Sequence, residues 1–113
     1  MQITTRKVYD VQVVDLAGNL DSRGAGDIGD QLVEIAQASA KQVLLNLAKV
    51  EFVSSAGLRI ILRAAKLLQN RDGELKICSA VEGVREVMET SGFDSLLKLY
   101  NTEKEAFAAF APG

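Results

Sequence analysis

The chain has 113 residues, of which 48% are hydrophobic and 25% charged, and these proportions are typical of one globular domain. Its net charge of −2 and its lack of a secretory or membrane-spanning run lead us to expect a cytoplasmic protein without nucleic-acid or membrane partners. The absence of histidine and the single cysteine exclude Ser-His-Asp and Cys-His catalysis, histidine or thiolate zinc sites and an internal disulfide.

The first third of the chain predicts a β-hairpin followed by a helix. Alternating and β-branched residues predict strands over Ile3–Val8 and Val11–Ala17. Gly18-Asn19 predicts a turn after the second strand. Apolar residues then recur at helical spacing, and they predict a helix over Ser22–Ser39 that is capped by Asp21 or Ser22.

The middle of the chain predicts two strands with a helix between them. The short apolar run Val43–Leu47 is typical of a strand that is covered on both faces. A helix is predicted over Ser55–Asn70, and Asp72-Gly73 then turns the chain into a strand over Glu74–Cys78. At the end of that strand we interpret Cys78 as a buried small hydrophobic residue rather than a nucleophile.

The last third predicts a helix, a strand and a terminal helix. Ser79–Glu82 and Thr102–Glu105 have the sequence of capping boxes, which mark the starts of helices. Between the helices a strand is predicted over Leu96–Tyr100. The first helix should end before Gly92. Apolar residues of both helices should face the core, namely Val81, Val84, Met88, Phe107 and Phe110.

This order of elements defines the predicted fold class as α/β. Strands that alternate with helices indicate a mostly parallel sheet of four to five strands, with about four helices packed on it and one antiparallel strand at an edge. We find no linker or repeat, and we therefore treat residues 1–113 as one domain. In such a sheet the functional groups usually lie at the carboxyl ends of the parallel strands.

One motif suggests a nucleotide site and does not support it. Gly24-Ala25-Gly26-Asp27-Ile28-Gly29 matches the dinucleotide fingerprint G-x-G-x-x-G. That fingerprint needs its first glycine directly after a strand, whereas here a capping residue has already opened the helix, and Asp27 would repel phosphates. We interpret these glycines as small residues that let a helix approach its sheet closely.

The most informative stretch is Ser54-Ser55-Ala56-Gly57-Leu58, where a helix is predicted to begin. A serine at a helix N-terminus can cap the free backbone N–H groups. The same position also tolerates a phosphate, because the helix end carries a partial positive charge. Asp21 should reach the same rim of the sheet, and its charge and that of Glu51 would repel a newly added phosphate.

Several stretches together resemble a known family. The chain resembles the anti-sigma factor antagonists, which are bacterial single-domain STAS proteins, along nearly its whole length. The residues that carry the resemblance are Asn46-Leu47, Phe52-Val53-Ser54-Ser55-Ala56-Gly57-Leu58, the strand ending in Cys78, Leu16-Ala17-Gly18-Asn19-Leu20-Asp21 and Thr90-Ser91-Gly92-Phe93.

The resemblance implies a partner switch. In the family, the unphosphorylated antagonist binds a serine-kinase anti-sigma factor and thereby frees the sigma factor. The kinase phosphorylates the antagonist with its own ATP, so the antagonist itself needs no cofactor, and a PP2C-type phosphatase reverses the modification. The family's phosphoacceptor falls on Ser55 and its nearby aspartate on Asp21. The family has Asp where this chain has Ser54, so Ser54 is the alternative phosphoacceptor, and we favour Ser55 because its register with Gly57 places it at the helix cap.

The partner-binding surface is predicted around this helix start. Arg59, Arg63 and Lys66 recur along one side of the helix, whereas Ile60, Ala64 and Leu67 lie outside its main apolar stripe. Such a face is either solvated or a docking patch. The residues expected to contact the partner are Asp21, Arg23, Ser54, Ala56, Gly57, Leu58, Arg59, Ile60 and Arg63. Arg59 could also hydrogen-bond a phosphate on Ser55.

Three functional hypotheses follow from the sequence. The first is a regulatory binding protein that is not an enzyme and is switched by phosphorylation of Ser55. The second is an unphosphorylated STAS scaffold, or a partner-switch module whose output is not transcription. The third is an enzyme that uses Asp21, Glu51 and Ser55 as acid–base groups, and it ranks last because no further catalytic residues support it.

Overall fold

A computed structural model describes residues 1–110 of the chain, and these residues form five strands and four α-helices. In chain order they are β1 (Gln2–Val8), β2 (Val11–Leu20), α1 (Ser22–Gln37), β3 (Gln42–Val53), α2 (Ser55–Gln69), β4 (Glu74–Cys78), α3 (Glu82–Thr90), β5 (Leu99–Tyr100) and α4 (Glu103–Ala109). A short 3-10 helix over Phe93–Ser95 precedes β5. Within residues 1–110, no helix has the length and hydropathy needed to cross a bilayer.

The five strands form one sheet in the order β1-β2-β3-β4-β5. β1 pairs with β2 in antiparallel orientation at one edge, and every other pair of neighbouring strands is parallel. The predicted α/β class, the antiparallel edge strand and the number of helices are therefore confirmed.

The alternation of side chains along the strands builds a separate core on each face of the sheet. Val14, Leu45 and Ile77 face one way and pack with the apolar stripes of α1, α2 and α3. Their neighbours Val13, Leu44 and Cys78 face the other way and pack with Ala106 and Phe110 at the C-terminal end of the described chain. Both faces of the central strands are covered, which explains the unbroken apolar run in β3.

β2 and β3 extend further than the sequence predicted. The prediction ended β3 at Leu47, but the strand continues to Val53, and beyond Asn46 its pairing is with β2 alone. In this extension Val50 and Val53 are buried and the other residues after Leu47 are exposed, because it has left the region covered on both faces. An apolar run marks only the doubly covered part of such a strand.

The predicted turn at Gly18-Asn19 is wrong, because both residues lie within β2. The register between β2 and β3 shifts between Gly18 and Asn19, as at a β-bulge, and Gly18 has a φ of +115°. That left-handed conformation favours glycine, so Gly18 lies at an irregularity within the strand and does not end it.

The C-terminal third corrects two further predictions. The Ser79–Glu82 capping box does not form, because Ser79 has a φ of +64° and its N–H donates to the Tyr100 carbonyl. α3 therefore begins after Val81, which is 40% exposed rather than inward, whereas Val84 and Met88 are buried as predicted. Leu96 lies after the 3-10 helix and is 62% exposed, and β5 is limited to Leu99–Tyr100.

The predicted start of α4 is confirmed. Thr102 accepts a hydrogen bond from the Glu105 N–H at 3.1 Å, and Phe110 is buried beside Ala106 while Phe107 is partly buried. Cys78 is fully buried under this helix, and burial raises the pKa of its thiol. Its interpretation as a buried hydrophobic residue is confirmed.

Candidate functional site

The candidate site is the rim where β2 and β3 end and α1 and α2 begin. The two strands are parallel and remain paired to their last residues, Leu20 and Val53, so both helices begin side by side at one edge of the sheet. The Ser54 N–H donates to the Leu20 carbonyl at 3.0 Å and ties the two strand ends together. Asp21 follows Leu20 directly, and its predicted position on the same rim as the serines is confirmed.

Each of the two helices begins with a side-chain cap. Asp21 Oδ1 accepts a hydrogen bond from the Gly24 N–H at 2.8 Å, and Ser54 Oγ accepts one from the Gly57 N–H at 3.4 Å. Ser54 Oγ also donates to the Leu20 carbonyl at 3.3 Å. The cap of α2 is therefore Ser54, and the prediction that Ser55 caps the helix is wrong.

Ser55 is the first helical residue of α2, and its side chain is exposed. Its hydroxyl forms no hydrogen bond with the described part of the chain, residues 1–110. The first turn of a helix carries free N–H groups and a partial positive charge, which favour a negative group at this end. The two adjacent serines thus have different environments, because Ser54 is hydrogen-bonded within the fold and Ser55 is exposed to solvent.

A glycine lies three residues after each cap, and at both positions the helix backbone is close to the end of β2. A Cβ atom on Gly24 would lie 2.1 Å from the Asn19 carbonyl oxygen, and one on Gly57 would lie 2.4 Å from that of Leu20. The interpretation of the glycine-rich stretch as a close helix–sheet contact is therefore right for Gly24. It is wrong for Gly26 and Gly29, which have open space around them.

The predicted partner-binding residues differ in what they offer to a partner. Arg23, Arg59 and Arg63 are exposed, and Ala56, Leu58 and Ile60 are partly exposed. Asp21 and Ser54 are partly buried at the caps, and Gly57 is buried against Leu20, so the glycine shapes the surface without presenting a side chain. The prediction that Ala64 lies outside the packed stripe is wrong, since it is buried.

One exposed aromatic residue at the rim was missed as a site residue. Phe52 is 50% exposed, it lies two residues before Ser54, and it pairs across the sheet with exposed Asn19. The sequence contained a signal, because a strand that buries Val53 must direct Phe52 to the opposite face. This signal can be interpreted only if β3 is known to extend to Val53, and the apolar run did not predict that extension.

The rim also has a small open cavity of about 330 Å³ next to the α1 cap. Asp21, Arg23 and Asp27 line it together with Asn19. Within residues 1–110, no three acidic or cysteine side chains are grouped so that they could hold a metal ion. What the arrangement presents chemically is a free hydroxyl at a helix start, with charged and apolar side chains around it.

Comparison with known proteins identifies the family to which this chain belongs. The STAS domain family matches residues 2–106, and the chain belongs to this family. A Bordetella bronchiseptica protein named as an anti-sigma factor antagonist, BtrV, is 36% identical over 110 residues, which cover 97% of this chain and 95% of that protein. The resemblance to the single-domain STAS proteins is therefore confirmed.

Solved structures show the same fold at lower sequence identity. Thermotoga maritima TM1081, which is described as an anti-sigma factor antagonist, has a TM-score of 0.87 at 22% identity, with 94% of this chain and 92% of that chain covered. The Bacillus cell fate determinant SpoIIAA in its phosphorylated form has a TM-score of 0.71 at 21% identity, with 95% of this chain and 97% of that chain covered.

Proposed function

We propose that this protein is an anti-sigma factor antagonist whose binding is controlled by phosphorylation of Ser55. Its unphosphorylated form binds a serine-kinase anti-sigma factor and releases the sigma factor that the kinase held. The kinase then phosphorylates Ser55 with ATP bound in its own active site, and a PP2C-type phosphatase restores the binding form. The observation that carries this proposal is the exposed Ser55 hydroxyl at the start of α2, which forms no hydrogen bond with residues 1–110.

The fold can accept the modification without unfolding. A phosphate on Ser55 adds about −1.5 to −2 charges at neutral pH, and it meets the free N–H groups and positive end of α2. Because Ser55 is exposed, no packed side chain has to move. The new charge lies on the rim that also carries Asp21 and Phe52, so a partner docked there would meet an added anion.

The hydrogen bonds of the two serines favour Ser55 over Ser54 as the phosphoacceptor. Ser54 Oγ both accepts from the Gly57 N–H and donates to the Leu20 carbonyl, so a phosphate on it would disrupt the cap and the link to β2. Modification of Ser55 breaks no hydrogen bond of the described residues. The choice of Ser55 therefore rests on exposure and free bonding capacity rather than on capping.

The proposal is tested by phosphorylation in vitro. Wild type, Ser55→Ala and Ser54→Ala would each be incubated with ATP and the serine-kinase anti-sigma factor from the same organism, and phosphate would be located by mass spectrometry. We expect one phosphate on Ser55 in wild type and in Ser54→Ala, and none in Ser55→Ala. Full phosphorylation of Ser55→Ala would overturn the site, and kinase binding without any phosphate transfer would support the scaffold hypothesis instead.

A further inference from the structure

The outer face of α2 carries an unusual stripe of charge. Among its 15 residues the helix has three cations, Arg59, Arg63 and Lys66, and no carboxylate, although the chain as a whole has a net charge of −2. All three are exposed, and none of them forms an ion pair or hydrogen bond with residues 1–110. Their spacing of three and four residues places them on one side of the helix.

This arrangement does not stabilise the helix itself. Arg59 and Arg63 are four residues apart and repel each other. A solvated helix face usually has opposite charges at that spacing. α3 follows the usual pattern, since its Arg85 pairs with Glu89 at 3.7 Å. α1 even carries an excess of acidic residues on its solvent side. The stripe on α2 is therefore an exception within this fold.

The cations border an apolar groove. Leu62 and Leu67 are partly buried against the core and still line an open cavity of about 390 Å³ on the helix surface. The α2 groove is lined by Arg59, Leu62, Arg63, Lys66, Leu67 and Asn70. These positions follow the helical spacing i, i+3, i+4, i+7, i+8 and i+11, so the groove runs along the helix as one continuous stripe.

We propose that the α2 groove docks an acidic amphipathic helix of a protein partner. An apolar floor bordered by unpaired cations is complementary to a helix that carries apolar anchors flanked by carboxylates. The groove begins at Arg59, one helical turn from Ser55, and leads away from the serine towards the far end of α2. The groove would give the partner of the proposed function an anchoring surface that a phosphate on Ser55 does not cover. This inference rests on the proposed function for the existence of a protein partner.

The test uses a synthetic probe and the whole chain. The probe is an amphipathic peptide of about 14 residues, roughly four helical turns, with leucines along one side and glutamates beside them. A matched peptide carries lysines in place of the glutamates. Each is titrated into ¹⁵N-labelled protein, and amide chemical shifts report where it binds. We expect saturable shifts confined to residues 59–70 and their neighbours with the glutamate peptide, and much weaker shifts with the lysine peptide.

Charge reversal supplies the control. Arg63→Glu combined with Lys66→Glu should raise the dissociation constant of the glutamate peptide at least about fivefold, because two ion pairs are replaced by repulsion. Lys98→Glu combined with Lys104→Glu, which reverses two exposed cations outside the groove, should leave it within about twofold. The native spectrum of each variant verifies its fold.

Three outcomes would overturn the docking proposal: no localised shifts with the glutamate peptide, equal binding of the lysine peptide, or equal effects of the two double variants. Because the titration contains neither kinase nor ATP, its result is independent of whether Ser55 is phosphorylated. Loss of phosphorylation in the kinase assay with intact peptide binding would contradict the proposed function and leave the groove in place.

Discussion

At the scale of single residues, one position along the chain separates a structural serine from a candidate modification site. Ser54 has non-helical backbone angles and directs its hydroxyl into the cap of α2. Ser55 is already helical, so its side chain leaves the cap and reaches solvent. The sequence located the helix start but not which serine caps it, because helix ends are uncertain by a residue or two without coordinates.

Because Ser54 forms the cap and Ser55 does not, alanine substitutions at the two positions should affect stability to different extents. Ser54→Ala removes the side-chain cap and should lower the free energy of unfolding by about 1 kcal/mol. Ser55→Ala removes an exposed hydroxyl that has no hydrogen bond to the described residues, and it should change the free energy of unfolding by less than about 0.5 kcal/mol. Urea unfolding followed by circular dichroism measures both. A larger loss in Ser55→Ala than in Ser54→Ala would contradict the assignment of the cap.

The glycine of the site predicts a second stability effect. In Gly57→Ala the new Cβ would lie 2.4 Å from the Leu20 carbonyl oxygen, so α2 must move away from β2, and we expect a loss of about 1 to 3 kcal/mol in the free energy of unfolding.

Gly26→Ala is the matched control, because Gly26 is also helical but has nothing within 4 Å of a new Cβ. It should stabilise the protein by about 0.5 to 1 kcal/mol. Chemical denaturation compares the two variants, and equal effects would mean that the close approach of α2 to β2 has no energetic importance.

At the scale of elements, the sequence was most informative where one pattern dominated. The apolar stripes of α1 and α2 and the compact strand Glu74–Cys78 were predicted close to their observed bounds. The extension of β3 was missed because its Ala48–Glu51 segment is partly polar and borders a single neighbouring strand. The 3-10 helix over Phe93–Ser95 was missed because three residues are too few to show a periodic apolar pattern.

The docking of α4 makes a prediction of its own. Ala106 is fully buried beside Cys78 on the face opposite α1–α3, so Ala106→Asp would place a carboxylate in this second core and detach the helix. Cys78 should then react with a thiol reagent much faster than in wild type, while circular dichroism shows that the rest of the fold remains.

Ala108→Asp provides the comparison, because Ala108 lies on the same helix and is exposed. Its Cys78 should stay as protected as in wild type. If both variants react alike, or if neither differs from wild type, α4 does not cover the thiol in the way that the structure describes.

At the scale of the whole molecule, the site is assembled by the topology rather than by any one segment. Asp21 and Ser54 are far apart in sequence and meet because β2 and β3 are parallel neighbours with paired ends. The order of strands and helices was enough to predict this shared rim. The exposure of Phe52, the burial of Ala64 and the unpaired state of the α2 cations required the packed structure, because each depends on neighbours from other elements.

The rim that carries Ser55 is separate from the face of the sheet that α4 covers. α1 and α2 begin at the rim that carries Ser55, whereas α4 closes the opposite face and carries none of the predicted site residues. A charge added to Ser55 therefore lies outside both cores.

We expect the melting temperature of Ser55→Asp to lie within about 2–4 °C of that of wild type, which corresponds to under 1 kcal/mol for a domain of this size. Thermal unfolding measures this temperature. A much larger decrease would contradict the tolerance of this position for negative charge.

We propose that a phosphate on Ser55 changes partner binding without unfolding the protein. The most direct test of this proposal is the affinity of the serine-kinase anti-sigma factor for protein carrying phosphoserine at position 55, compared with unmodified protein by calorimetric titration. We expect a dissociation constant at least about 100-fold higher for the phosphorylated form, equivalent to roughly 2.7 kcal/mol, with an unchanged circular dichroism spectrum. Equal affinities of the two forms would contradict the proposal.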